Sequence, residues 1–183
     1  MKILIRTSLF AILSVFLSGC GSPQIEKKYD DFSKKHVCRL TNYLLKNAWG
    51  RPTHLTLERE GDYIKGFISV HGINGKYNFS NNPDVTFNIY KKNNLVESIK
   101  LKATTMEVKS WMEPTYGTIV SINIPHSNAT SLIRLSKEDF IKIAYADHVQ
   151  FSISGKNDSM EGNITSSELE FFRKFDKECA QAQ

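Results

Sequence analysis

Five histidines are the side chains best suited to bind a metal ion or to transfer a proton near neutral pH. They are His36, His54, His71, His126 and His148. No two of them stand at a metal-ligand spacing such as His-x3-His, and none lies beside a pair of closely spaced cysteines. His54 and His71 fall on predicted strands and could meet across a sheet, where a cross-strand pair is a simpler interpretation than a metal site. The sequence therefore predicts no metal site and no cofactor.

The usual signatures of nucleophilic and acid–base catalysis are missing from the sequence. It contains neither Gly-x-Ser-x-Gly nor Ser-x-x-Lys with its partner motifs. The stretch from Gly72 to Gly75 resembles a phosphate loop only in its glycines, because no lysine and no predicted helix follow it. Acidic pairs such as Glu58 with Glu60, or Asp158 with Glu161, are typical of turns and surfaces rather than of glycoside hydrolysis. We predict no catalytic residue, although a hydrolase site assembled only by the fold stays open.

The N-terminus has the three zones of an export signal. Lys2 and Arg6 supply positive charge, residues 8–17 are mostly apolar, and small residues precede Cys20. The apolar stretch is about half of the roughly 20 residues that a membrane-spanning helix needs. A cleaved signal is therefore favoured over a permanent span.

The stretch from Leu17 to Cys20, with the sequence Leu-Ser-Gly-Cys, resembles the lipobox of bacterial lipoproteins. The resemblance covers residues 1–20 only. It implies cleavage of residues 1–19 and attachment of acyl chains such as palmitate to Cys20, and several such chains anchor a protein firmly. No aspartate follows the cysteine, which in enterobacterial lipoproteins favours the outer membrane, with the domain facing the periplasm. The alternative is an ordinary cleaved signal in which the cysteine has no role.

The remaining chain has the length of one domain. We predict a lipidated tether over residues 20–24 and a single α+β periplasmic domain over residues 25–183. The formal charge of +5 falls to +3 without Lys2 and Arg6, and the remaining lysines are spread along the chain. Nucleic-acid binding would need clustered basic residues on one face, so no nucleic-acid partner is predicted.

Lipidation of Cys20 would leave Cys38 and Cys179 as an even pair. In an oxidising compartment such a pair predicts a disulfide. No Cys-x-x-Cys spacing favours a redox or metal-binding role. The bridge would join the first helix of the mature chain to its last helix.

Two spacing patterns divide the chain into helices and strands. Apolar residues recur every three or four positions from Ile25 to Leu44, which predicts an N-terminal helix that ends before Pro52. After Pro52 the period changes to two, and short strands are predicted near residues 55–58, 64–70, 77–79, 85–89, 95–103, 118–125 and 147–154. Polar loops are predicted at residues 126–130 and 155–163.

Capping patterns predict two further helices near the C-terminus. Ser136 precedes a short helix, and Thr165 with Glu168 forms a capping box that opens the last helix. The predicted fold class is α+β: an antiparallel sheet or sandwich of about 6–8 strands, bracketed by N- and C-terminal helices.

Trp111, Met112 and Tyr116 surround Pro114 in a predicted loop. Exposed aromatic side chains on a loop can anchor a protein partner, whereas Trp111 could instead fold back over the sheet edge. With the lipobox, this cluster favours a membrane-anchored, non-enzymatic binding, inhibitory or structural module with a protein partner in the envelope. The alternatives are an envelope hydrolase and an immunity or exclusion lipoprotein that neutralises a periplasmic toxin.

Overall fold

The computed structural model describes residues 22–31, 35–48, 51–73, 82–116, 121–155 and 159–180. Within these residues the chain forms two antiparallel β-sheets and two α-helices. The strands are β1 (Gln24–Asp30), β2 (Lys35–Ala48), β3 (Arg51–Glu60), β4 (Tyr63–Ile73), β5 (Asp84–Lys91), β6 (Asn94–Lys102), β7 (Thr104–Tyr116), β8 (Ser121–Ser136), β9 (His148–Ser154) and β10 (Ser159–Ile164). The helices are α1 (Lys137–Ala144) and α2 (Ser166–Ala180). The α+β class is confirmed.

The two sheets enclose one hydrophobic core. The large sheet has the strand order β1-β2-β3-β4-β8-β7, and the small sheet has the order β10-β9-β5-β6. Alternation turns every second side chain inward, so Val85, Phe87 and Ile89 of β5 are buried and their neighbours are not. The hydroxyl of Thr53 on β3 lies 3.2 Å from the sulfur of Met160 on β10, which shows how closely the sheets approach.

Both C-terminal helices begin where their caps predict. The Ser136 hydroxyl accepts a hydrogen bond from the backbone N–H of Asp139 at 3.0 Å, at the start of α1. The backbone N–H of Thr165 donates to the Glu168 carboxylate at 2.7 Å, at the start of α2. Each helix then buries an apolar stripe: Phe140, Ile143 and Ala144 in α1; Leu169, Phe172, Phe175 and Cys179 in α2.

The predicted N-terminal helix is wrong, because this segment forms β1 and β2 of the large sheet. The register of β2 against β3 shifts between Leu40 and Tyr43, and Asn42 has a φ of +57°. This bulge adds a residue to the alternation. Leu40 and Tyr43 are therefore both buried at a spacing of three, which imitates a helix. Leu45 is buried, whereas Leu44 is 43% exposed, contrary to the helical pattern.

The strand count and two predicted loops also need correction. The described residues form ten strands rather than about 6–8. Residues 126–130 lie inside β8, where β4 and β7 pair on either side of them, and residues 159–163 of the other predicted loop belong to β10. The strand predicted near residues 77–79 lies outside the described residues.

Candidate functional site

A disulfide joins Cys38 on β2 to Cys179 on α2, with 5.6 Å between their Cα atoms. This is the pair that the cysteine count predicts, but it links a strand to a helix rather than two helices. Both cysteines are at least 98% buried. Burial away from solvent is typical of a structural bridge rather than of a reactive one. Cys20 lies outside the described residues.

A buried charge lies next to this bridge. Arg59 pairs with Cys38 across β2 and β3, and its side chain is 5% exposed. One guanidinium nitrogen, Nη1, lies 3.7 Å from a carboxylate oxygen of Asp176 on α2, while Nη1 and Nε make no hydrogen bond. Asp176 also accepts a hydrogen bond from the Tyr145 hydroxyl at 3.4 Å. The carboxylate of Asp176 thus compensates a cation inside the fold, which is a structural role.

The predicted partner contact lies on a strand and not in a loop. Trp111, Met112 and Tyr116 belong to β7, which pairs with β8 in continuous register as far as Tyr116. Pro114 is compatible with this strand because β7 is the outermost strand of the described large sheet. Met112 is 62% exposed, and the side chains of Trp111 and Tyr116 lie outside the described residues.

Two other large apolar side chains of β7 are also exposed. Met106 is 58% exposed and Val108 is 59% exposed. Val108 pairs with Ala129 of β8, which is buried on the core side of the sheet. Val108 therefore lies on the core-facing side where the described small sheet does not cover it. We call Met106, Val108 and Met112 the β7 edge.

Among the described residues, the pairing of β4 with β8 ends at Ile73 and His126, whereas β7 and β8 remain paired as far as Tyr116 and Ser121.

The histidines pair differently from the predicted arrangement. The Nε2 atom of His71 lies 3.1 Å from Nδ1 of His126 on β8, while His54 is exposed on β3. His148 stacks on the ring of Tyr90, with 4.4 Å between ring centroids. Within the described ranges, no group of three or more His, Cys, Asp or Glu side chains could hold a metal ion.

A groove on the small sheet was not predicted from the sequence. Its volume is about 620 Å³, within the usual range for small-ligand sites of about 300–1,000 Å³. The polar lining residues come from β5, β9 and β10: Asn88, Gln150, Ser152, Glu161 and Asn163. We call this the amide groove.

Strand register arranges the polar side chains in two rows on the outer face of the small sheet. The first row, across β6, β5, β9 and β10, contains Ser98, Asn88, Gln150 and Asn163. The second row contains Lys100, Thr86, Ser152 and Glu161. Neighbouring positions in a row are separated by the strand spacing of about 4.8 Å.

Hydroxyl groups hold the two central amides of the first row. The Ser98 hydroxyl donates to Oδ1 of Asn88 at 2.7 Å, and the Tyr90 hydroxyl donates to Oε1 of Gln150 at 2.8 Å. A carboxamide has one acceptor oxygen and two N–H donors. Each oxygen accepts one of these bonds and keeps a second lone pair, while Nδ2 of Asn88 and Nε2 of Gln150 remain as donors for a ligand.

The amide groove also reaches the core at one point. Gly162 of β10 has no side chain, and the groove there is lined by Leu45 of β2 and Phe151 of β9. Both are more than 90% buried, so they add only a small apolar surface. The groove can therefore form hydrogen bonds to a polar ligand but offers little to an apolar one.

Tyr43 is the group in this part of the fold whose acidity is most perturbed. Burial, with a smaller contribution from Glu168, raises the pKa of Tyr43. Its ring packs edge-on against Phe172, with 5.0 Å between centroids. Tyr43 is therefore a buried residue of the core whose hydroxyl keeps its proton.

In the part of the chain that the structure describes, neither helix is long and apolar enough to span a membrane.

No protein-family model matches this chain, and no curated protein matches it.

Proposed function

We propose that this chain is a membrane-anchored bacterial lipoprotein that acts as a non-enzymatic binding, inhibitory or structural module in the envelope. Acyl chains on Cys20 would hold it to the outer membrane, and the domain would face the periplasm. The lipobox resemblance supports the anchor. The buried bridge between Cys38 and Cys179 is consistent with export, because structural disulfides form and persist in oxidising compartments.

The β7 edge is the observation that carries the binding function. Met106, Val108 and Met112 each expose more than half of their surface along one outermost strand. Outermost strands are usually protected by charge or prolines, and β7 has both in Glu107, Lys109 and Pro114. The proposed contact therefore uses the exposed apolar side chains of β7 rather than its backbone. An exposed apolar edge of this kind marks a surface that a protein partner covers. Trp111 and Tyr116 lie on the same strand, and we propose that they contribute to this contact.

Substitution of the proposed lipidated cysteine tests the anchor. Wild-type cells grown with labelled palmitate should incorporate the label into this protein, and Cys20→Ala should abolish labelling and leave an unprocessed precursor. Ser22→Ala, which changes a neighbouring residue but keeps the thiol, is the matched control and should be labelled normally. Persistent labelling of the Cys20→Ala variant would refute the lipoprotein proposal.

Site-specific photo-crosslinking in intact envelopes tests the partner surface. A photoreactive residue at Met112 should give one dominant crosslinked protein. The same residue at Tyr63, which is 58% exposed on β4, is the control for exposure alone and should not give that product. Val108→Lys should weaken the crosslink from Met112, because a charge on the β7 edge opposes burial. Identical products from both positions, or none from Met112, would contradict this assignment.

A further inference from the structure

We propose that the amide groove binds a neutral oligosaccharide. The groove is separate from the β7 edge, since it lies on the small sheet and is lined largely by β5, β9 and β10. The proposal rests on the proposed envelope function only for the source of the ligand, because polysaccharides are components of that compartment.

The hydrogen-bonding groups of the first row suit sugar hydroxyls. Nδ2 of Asn88 and Nε2 of Gln150 are donors whose carboxamides are already held by Ser98 and Tyr90. Asn163 adds a further exposed amide at the end of the row. A hydroxyl both donates and accepts, so a ligand with many hydroxyls can use a mixed set of donors and acceptors. Because these hydrogen bonds already hold the two carboxamides in place, less side-chain conformational entropy is lost when the ligand binds.

The charges around the groove favour a neutral ligand over an anion. Glu161 is the charged residue among those that line the groove, and Lys100 stands at the other end of its row. Phosphate and sulfate groups are normally bound by arginine, lysine or clustered backbone N–H groups. Among the described residues that line the groove, none is an arginine or a lysine.

The dimensions favour a chain of sugars over a single ring. Three amides of the first row line the groove, Asn88, Gln150 and Asn163, and at the strand spacing of about 4.8 Å they span about 10 Å. Shallow grooves gain affinity by repeating weak contacts along their length, and a row of equivalent amides is such a repeat. A peptide could pair with β10, the outermost strand of the described small sheet, but its side chains would then need apolar pockets. The amide groove offers only the small surfaces of Leu45 and Phe151 for that purpose.

Titration of the mature lipidated protein in detergent micelles tests the proposal. The probes are the tetramer of N-acetylglucosamine and cellotetraose, a tetramer of unsubstituted glucose. Binding is measured by calorimetry and by NMR of 15N-labelled side-chain amides. We expect saturable shifts of the Asn88 and Gln150 amide signals. Saturation by the acetylated tetramer alone would indicate an N-acetylated glycan, and saturation by cellotetraose an unsubstituted one.

Conservative variants separate loss of binding from loss of folding. Asn88→Asp and Gln150→Glu keep the oxygen that accepts from Ser98 or Tyr90 but replace the N–H donors by a second oxygen. Each should weaken binding about tenfold or more, because a donor is lost and an acceptor faces the ligand. Asn128→Asp, at an exposed asparagine of β8 on the large sheet, is the matched control and should bind normally.

Two results would overturn the oligosaccharide proposal. One is the absence of saturable binding of either tetramer up to about 10 mM, because a Kd above that concentration means that the groove has almost no affinity for the sugar chain. The other is binding that Asn88→Asp and Gln150→Glu leave unchanged, since the ligand would then occupy another surface. Neither result bears on the crosslink from Met112 or on lipid attachment to Cys20, so failure of this inference is distinguishable from failure of the proposed function.

Discussion

Removal of the bridge between Cys38 and Cys179 should cost this domain a large part of its stability. The two residues are 141 positions apart, so the disulfide closes most of the mature chain into one loop. In the chain-entropy model a loop of this length constrains the unfolded chain by about 5 kcal/mol at 25 °C. Whole-domain stabilities are usually about 5–15 kcal/mol. For a domain of this size 5 kcal/mol corresponds to a fall in Tm of about 10–20 °C.

Thermal and urea unfolding of Cys38→Ala, Cys179→Ala and the double variant measure this effect. Each single variant removes the same bridge, so all three should lose nearly the same stability, and the losses should not add. Wild-type protein reduced with dithiothreitol is the control, because it loses the bridge but keeps both sulfur atoms in the core. It should unfold close to the double variant. A double variant whose Tm stays within about 3 °C of the oxidised wild type would refute the reasoning.

Two further predictions concern the core of the large sheet. Asp176→Ala should lower the free energy of unfolding by about 3 kcal/mol, because it leaves the buried guanidinium of Arg59 uncompensated. Arg59→Met should lower the free energy of unfolding less than Asp176→Ala does, and the double variant should be more stable in urea than Asp176→Ala alone. A larger loss for Arg59→Met than for Asp176→Ala would contradict this. Gly66→Ala should cost about 1–3 kcal/mol, since its Cβ would lie 2.7 Å from Cγ1 and 3.0 Å from Cδ1 of Ile133. Ile133→Ala removes both of these atoms and should reduce the further cost of Gly66→Ala in thermal unfolding, whereas Ile133→Val removes only Cδ1 and should reduce it less. Wild-type stability for Gly66→Ala would show that Ile133 moves freely.

Local signals in the sequence were sufficient for much of the fold. Alternation in β3, β4, β5 and β9 and the caps at Ser136 and Thr165 involve residues only a few positions apart, so they can be recognised without knowing the fold. The helical interpretation of β2 failed because its bulge places Leu40 and Tyr43 on one face at a spacing of three. A bulge depends on the neighbouring strand, and that neighbour is not visible in a local pattern.

The candidate sites required information that local spacing does not contain. Only Met160 and Ile164 are buried in β10, with Gly162 between them, so the alternation of this strand is weak and its polar residues resemble a turn. The first row of the amide groove depends on the strand order β10-β9-β5-β6, which brings Asn88 beside Gln150 although they lie far apart in the chain. Of the exposed apolar residues of β7, the sequence singles out only Met112, and the place of β7 as an outermost strand of the described large sheet follows only from the sheet order.

The sheet order also separates the proposed anchor from the proposed partner surface. The tether of residues 20–24 leads directly into β1, which lies at one side of the large sheet, whereas β7 lies at the other. Measured along the sheet, five strand intervals of about 4.8 Å separate these two strands by about 24 Å. Residues 20–23, which precede β1, extend at most about 14 Å, so lipidation of Cys20 would hold β1 close to the bilayer. Because β1 and β7 are the two outermost strands of the described large sheet, a partner could reach Met112 without displacing the domain from the membrane.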